Sequence, residues 1–286
     1  MGLITFGQVG ITKIHFEGGR KMKKLAGAVI CIVFAVGAGN GFAQPLKRHT
    51  FEIGPEISYR VYKEPGVMKE EGWMYGLVGS YAYHNKLMLK VEGRGNFGKV
   101  DYSNSGNINN INDYVLEGRG LVGFDFLIAQ VHSITPYIGV GYRYLNDDSS
   151  GRISTTGALG YERESNYLYS PIGLEINVQL GDRFYVKESM EFDYLWRGWQ
   201  KSHLSDAIPG FNNPTNTQKK GYGVRGYIGF LIVTKKIDFE LGPFVTYWNI
   251  KKSDDETITY YGTPVDIGWE PKNNTTEIGF KITARF

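Results

Sequence analysis

The sequence has only one cysteine, Cys31, in 286 residues. That cysteine lies in an apolar N-terminal run, so if the run is removed on export, disulfides, thiol nucleophiles and cysteine-ligated metals are excluded together. Charge of one sign is also scarce. A net charge of +3, with no basic stripe interleaved with stacking aromatics, excludes a nucleic-acid partner. Beyond residue 44 no segment approaches the ~20 consecutive apolar residues that a spanning helix needs. What the chain does have is 38 glycines and 20 tyrosines, a composition that fits many short strands with an aromatic-belted surface rather than a helical core.

Lys21, Lys23 and Lys24 precede the apolar run Leu25 to Ala38, and Gly41 and Ala43 then supply small residues at the two key positions of a cleavage site. Residues 22–43 therefore read as a signal peptide cleaved after Ala43. The run is short for a membrane helix, and polar Asn40 and Gln44 follow at once. Ile30 is too bulky to precede a lipidated cysteine, which argues against a lipid anchor at Cys31. Residues 1–21 fit neither a signal nor a domain and read as an N-terminal extension ahead of the natural start, Met22, which opens Met-Lys-Lys-Leu. The mature domain is then 44–286.

That domain alternates with period two, the mark of strands with one apolar face. Phe51, Ile53, Pro55, Ile57, Tyr59 and Val61 oppose Glu52, Gly54, Glu56, Ser58 and Arg60; at the other end Ile278, Phe280, Ile282, Ala284 and Phe286 oppose Glu277, Gly279, Lys281, Thr283 and Arg285. Eight further strands are predicted at 73–84, 87–99, 114–127, 135–145, 167–180, 184–197, 221–233 and 237–250. Short turns (84–86, 129–133, 180–183, 233–236) alternate with long polar loops (63–72, 103–113, 146–166, 198–220, 251–274). Short periplasmic turns and long outer loops are what transmembrane barrels show. The fold class is all-β: a single antiparallel up-and-down barrel of about ten strands, or eight if a hairpin is miscounted.

A soluble β-protein would also alternate, but here the second face is too charged for an ordinary core. Trp73, Tyr75, Tyr167, Tyr169, Trp196, Trp199, Tyr222, Tyr247 and Trp248 fall beside the long loops, where an outer aromatic girdle would lie. Thr135-Pro-Tyr-Ile-Gly-Val-Gly-Tyr-Arg-Tyr144 resembles a strand that recurs in small bacterial outer-membrane barrels, and terminal Phe286 resembles the signal read by the barrel-insertion machinery. Glu64-Pro-Gly-Val-Met68 with Glu71-Gly-Trp-Met-Tyr-Gly76 resembles a widespread family of outer-membrane β-barrel proteins. The resemblance implies fold and a location in the bacterial outer membrane, and almost nothing about activity.

The predicted inward face carries Glu52, Glu56, Arg60, Glu92, Arg94, Glu117, Arg119, Arg143, Glu191, Arg225, Glu240, Glu277 and Lys281, joined by Lys90, Asp125, Glu175, Lys187, Asp193, Arg197, Asp238 and Arg285. Mixed signs on one face fit a salt-bridged network filling a narrow lumen, which gives a structural or surface-interaction barrel. The alternative is a narrow porin-like channel for small solutes. A third reading, an omptin-like protease, rests on strand count. Asp101, Asp113, His203 and Asp206 lie in the loops, but their spacing lacks the Asp-x-His pattern of that family, so no catalytic residue is assigned.

No cofactor or metal is expected: Asp147-Asp148 and Asp254-Asp255-Glu256 read as solvated loop tips. Lys201, Lys219, Lys220, Lys251 and Lys252 sit where lipopolysaccharide phosphates would lie. The expected partners are outer-membrane lipid and lipopolysaccharide, the insertion machinery, and a possible external ligand at the long loops.

Overall fold

The computed structural model describes residues 46–128 and 132–286. The expected extension, the expected signal peptide with its cleavage site at Ala43, and part of the predicted turn at 129–133 lie outside the described residues. The described residues form fourteen strands: β1 His49–Glu64, β2 Met68–Asn85, β3 Leu87–Ser103, β4 Ile108–Phe124, β5 Phe126–Ile128, β6 His132–Asp148, β7 Glu162–Gly181, β8 Phe184–Ser202, β9 Thr215–Gln218, β10 Gly221–Ile232, β11 Asp238–Ile250, β12 Glu256–Tyr260, β13 Thr263–Gly268 and β14 Asn273–Arg285, with one helical turn, α1, at Leu204–Ala207.

Ten of them close a ring. Each pairs antiparallel with its neighbours in the order β1, β2, β3, β4, β6, β7, β8, β10, β11, β14, and β14 returns to β1 with Glu52 opposite Arg285 and Arg60 opposite Glu277. Closure leaves no edge, which is what a sheet in lipid requires.

The outer face is apolar. Leu77 (60% exposed), Phe97 (67%), Val140 (59%) and Ile278 (61%) stand on it, an arrangement that water would penalise and hydrocarbon accommodates. Trp73, Tyr75, Tyr142, Tyr194 and Trp196 are exposed at its upper border, and Phe51, Tyr81, Phe184, Phe239 and Phe286 at its lower border. The protein is thus a ten-stranded transmembrane barrel of the outer-membrane type.

The strands outrun the membrane. A strand such as β2, 18 residues long, climbs about 45 Å at ~3.3 Å per residue and a tilt of ~40°, against an apolar band of ~25 Å. The excess forms a collar above the outer leaflet. Three predicted loops are corrected accordingly. The stretch 63–72 is strand on both sides of a tight turn in which the Val67 N–H donates to the Glu64 carbonyl (2.9 Å); Pro65 and Gly66, the latter at φ +81°, suit its two central positions. The stretch 103–113 reduces to residues 104–107, and 251–274 contains the β12–β13 hairpin. The physical reason is that above the lipid the outer face of a strand meets water and the buried inner face carries charged residues such as Glu64 and Glu70, so the apolar alternation fades while the pairing continues.

A second correction concerns β8. Leu168 pairs with Arg197 and Tyr169 with Leu195, leaving Trp196 as the extra residue of a bulge. The bulge turns Arg197 outward, with its guanidinium 5.3 Å from the Trp199 ring centroid, while Leu195, ahead of it, keeps the inward phase of Glu191 and Asp193.

Inside, small and large residues interlock. A Cβ on Gly173 would lie 2.4 Å from the Tyr137 ring, and one on Gly141 2.3 Å from that of Tyr169. Only glycine there lets those tyrosines lie across the wall and reach the lumen's carboxylates.

Candidate functional site: the lumen and the collar

The charged residues read from the sequence as inward line the lumen, Arg197 excepted, and most are joined. In the lower lumen Lys187 lies 3.4 Å from Glu240 and 3.6 Å from both Glu52 and Glu175. Lys90 bridges Glu92 (2.9 Å) and Glu175 (3.2 Å). Below these, Asp238 takes Lys47 at 2.8 Å and Arg285 reaches toward Glu52. Lys281 sits 3.9 Å from the Tyr227 ring centroid. Asp125 accepts from Thr135 and pairs with His84.

At mid-height three arginines each clamp two or more carboxylates. Arg94 pairs with Glu56 and with Glu277. Arg119 pairs with Glu92 and, at 2.5 Å, with Glu191. Arg225 holds Glu117 (2.5 Å), Asp193 (2.7 Å) and Glu191 (3.1 Å). Tyrosine hydroxyls complete the carboxylates: Tyr137 donates to Glu191 (2.8 Å) and Tyr169 to Glu117 (2.6 Å). Bidentate and bridging arginines hold planar groups in fixed geometry. This layer leaves a cavity of roughly 130 Å³ below it.

Above it lies an aromatic layer that the sequence reading misplaced. Tyr167, Tyr169 and Trp248 were expected in the outer girdle; all three are buried in the lumen, Tyr169 at 0% exposure, packed with Leu195 and Ile250. Trp248 meets Tyr169 edge-on at 5.1 Å and lies parallel to Tyr167 at 6.4 Å. Arg143, only 2% exposed, lies over the Trp248 ring at 5.6 Å. Here strand parity is decisive: Tyr169 has the parity of Glu175, and Trp248 that of Glu240. Arg60 pairs with Asp113 just above.

In the collar, Arg163 gathers Glu70 (2.7 Å), Asp147 (3.1 Å) and Glu64 (3.3 Å), and Gln200 donates to Glu270. Four carboxylates, Glu64, Glu70, Asp147 and Glu270, crowd the surroundings of Arg163. Burial pushes the Glu70 carboxyl up to about 8 against the pull of Arg163, and raises those of Glu64 and Glu270 for the same reason.

The loop residues weighed for hydrolysis do not assemble. Asp113 is committed to Arg60, Asp101 accepts the Asn110 N–H at 2.8 Å, and the His203 imidazole meets Glu164 at 2.7 Å. The acidic loop tips are also engaged: Asp148 accepts the Ser150 N–H (2.9 Å), Asp254 pairs with Lys219, and Asp255 with Lys252 at 2.7 Å. One grouping joins two of those candidates, His203 and Asp206, to a residue that the sequence reading passed over, Glu162. Glu162, His203 and Asp206 bring their ligand atoms within 4.8 Å of one another, although 41 residues separate the first two.

No protein-family model and no curated protein sequence matches the chain. Among solved structures it is similar to the outer membrane protease OmpT of Escherichia coli, with TM-score 0.56 and 10% identity over 84% of this chain and 95% of that one. The Pseudomonas putida toluene transporter TodX gives TM-score 0.36 at 8% identity, covering 84% and 90%; the Ail protein of Yersinia pestis gives 0.33 at 10%, covering 83% and 98%. The likeness to OmpT bears on the fold alone, and with the lipid-facing belt it makes the chain an integral barrel of the bacterial outer membrane.

Proposed function

We propose that this barrel is a non-conducting outer-membrane protein: its lumen is a structural ionic core, and its collar is the surface that meets the environment. The observation that carries this reading is the stack of two layers across the lumen. Arg94, Arg119 and Arg225 tie opposite walls together through shared carboxylates, and Tyr169, Trp248 and Arg143 lie directly above them. A conduit needs mobile charges and a continuous water column; paired, buried charges offer neither.

Two further contacts, one at the collar and one at the lower border, belong to the same proposal. Arg197, over the Trp199 ring, with Lys201 and Lys220 would meet lipopolysaccharide phosphates, while Phe286 would address the insertion machinery. Solute efflux from liposomes carrying the refolded barrel tests the reading. Retention of an encapsulated small sugar at the rate of protein-free vesicles is expected, and rapid efflux would favour the porin-like alternative. A hydrolase reading gains nothing from the separate engagements of Asp101, Asp113 and His203.

A further inference from the structure

We propose that the outer wall of the collar holds a divalent transition-metal site, of the zinc type, formed by Glu162, His203 and Asp206, with Glu164 behind the histidine. Glu162 and Glu164 share one face of β7, the face opposite to Arg163, which points into the lumen. The chain then leaves β8 at Ser202 and brings His203 and α1 back against that face. The His203 N–H donates to the Glu162 carbonyl (2.9 Å), and the Asp206 N–H to the His203 carbonyl (3.0 Å). Asn213 accepts the Ser205 N–H at 3.0 Å, and Leu204 is buried. The segment is therefore fixed before any ion arrives.

Each ligand side chain is held by one of its atoms, which leaves another for the ion. Glu162 accepts from Asn146 through Oε1 (2.6 Å), leaving Oε2. Asp206 accepts the Glu162 N–H through Oδ2 (3.3 Å), leaving Oδ1. Nε2 of His203 lies 2.7 Å from Glu164 Oε1; a carboxylate there would hold the proton on Nε2 and leave Nδ1 as the nitrogen with a free lone pair. A ligating histidine backed by a carboxylate is the usual outer-shell arrangement of metal sites.

Charge gives an independent reason. Among the described residues, none of Glu162, Glu164 and Asp206 pairs with a lysine or arginine, and the only ion-pair contact of the three is Glu164 with His203. This stands apart from a barrel that neutralises most of its carboxylates. Three uncompensated carboxylates around one imidazole favour a cation.

The donor set selects the ion. One nitrogen and two carboxylate oxygens with an open side suit a tetrahedral Zn²⁺ completed by water, with bonds of ~2.0–2.2 Å. One ligand atom from each of the three lies within 4.8 Å of the others, and tetrahedral bonds of that length would set them roughly 3.4 Å apart, a closure of up to about 1.4 Å. Ca²⁺ prefers 6–8 oxygens, which the site does not offer.

The test uses the refolded full-length mature barrel without a histidine tag, titrated with Zn²⁺ against a chromophoric chelator. One ion per barrel should bind with micromolar affinity, and excess Ca²⁺ should not displace it. His203→Gln and Asp206→Asn should each weaken binding at least about tenfold, and Glu164→Gln by roughly 10–100-fold, as removing an outer-shell carboxylate does. Heat-modifiable migration on a gel confirms that each variant is folded, and exposed Asp206 is the variant least able to disturb folding. Absence of binding tighter than millimolar, equal displacement by Ca²⁺, or affinity unchanged in folded His203→Gln and Asp206→Asn would overturn the proposal.

Discussion

Arg225 on β10 spans the lumen to Glu117 on β4, with Nη1 2.8 Å from Oε2 and Nη2 2.5 Å from Oε1. The two strands are far apart in the ring, so a single bidentate pair braces the barrel across its width, and the Tyr169 hydroxyl locks the same carboxylate.

Removing one side of such a brace leaves a buried charge without its partner. Glu117→Ala should therefore destabilise the folded barrel by about 3–5 kcal/mol. Asp255→Ala, which breaks only the exposed pair with Lys252, should cost no more than about 1 kcal/mol. Equilibrium urea unfolding in lipid vesicles compares the two, and equal losses would show that the lumen pairs do not brace the fold.

The collar should weaken as the medium becomes alkaline. The Glu70 carboxyl is raised by burial from 4.5 in the unfolded chain to about 8 in the fold, so the folded state holds the proton more tightly. Its stabilising contribution is complete below about 4.5 and is lost as pH rises towards 8; Glu64 and Glu270 shift in the same direction. Amide exchange at the tips of β1, β2 and β7 should accelerate between pH 6 and 9 beyond the intrinsic base catalysis of exchange, and Glu70→Gln should flatten the excess. Stronger protection at pH 9 than at pH 6 would contradict this assignment.

The lipid-facing belt contains one misfit. Glu188 lies on the outward face of β8, between Ile176 of β7 and Ile228 of β10 in register, and among the described residues its carboxyl has neither a hydrogen bond nor an ion pair. A charge facing hydrocarbon destabilises a barrel, carboxylates less than the ~2–4 kcal/mol of basic residues. Glu188→Leu should therefore raise the unfolding midpoint in bilayers and leave the lumen untouched. A lowered midpoint would mean that Glu188 makes a contact the barrel needs.

Location, strand number and the inward charges were legible because lipid on one side and a packed lumen on the other impose strict alternation. Legibility ended where that contrast ended. Above the girdle, Lys63 and Glu64 or Lys69 and Glu70 are polar on both faces, so strand there reads as loop. Tyr169 and Trp248 were mistaken for girdle because aromatic identity was weighed above parity with Glu175 and Glu240. Arg197 obeyed parity and still came out wrong, because the bulge at Trp196 shifts the phase by one. Glu162 and His203 meet only through the fold, and no local pattern in either segment announces the pair.

The closed lumen is tested most directly by planar-bilayer recording of the refolded mature barrel beside a Tyr169→Ala/Trp248→Gly variant. The wild type should insert without discrete conductance steps, and opening the aromatic layer should produce small, frequent ones. Stable, ion-selective steps from the wild type, shifted in selectivity by Arg94→Gln, would mean that the lumen charges line a working pore.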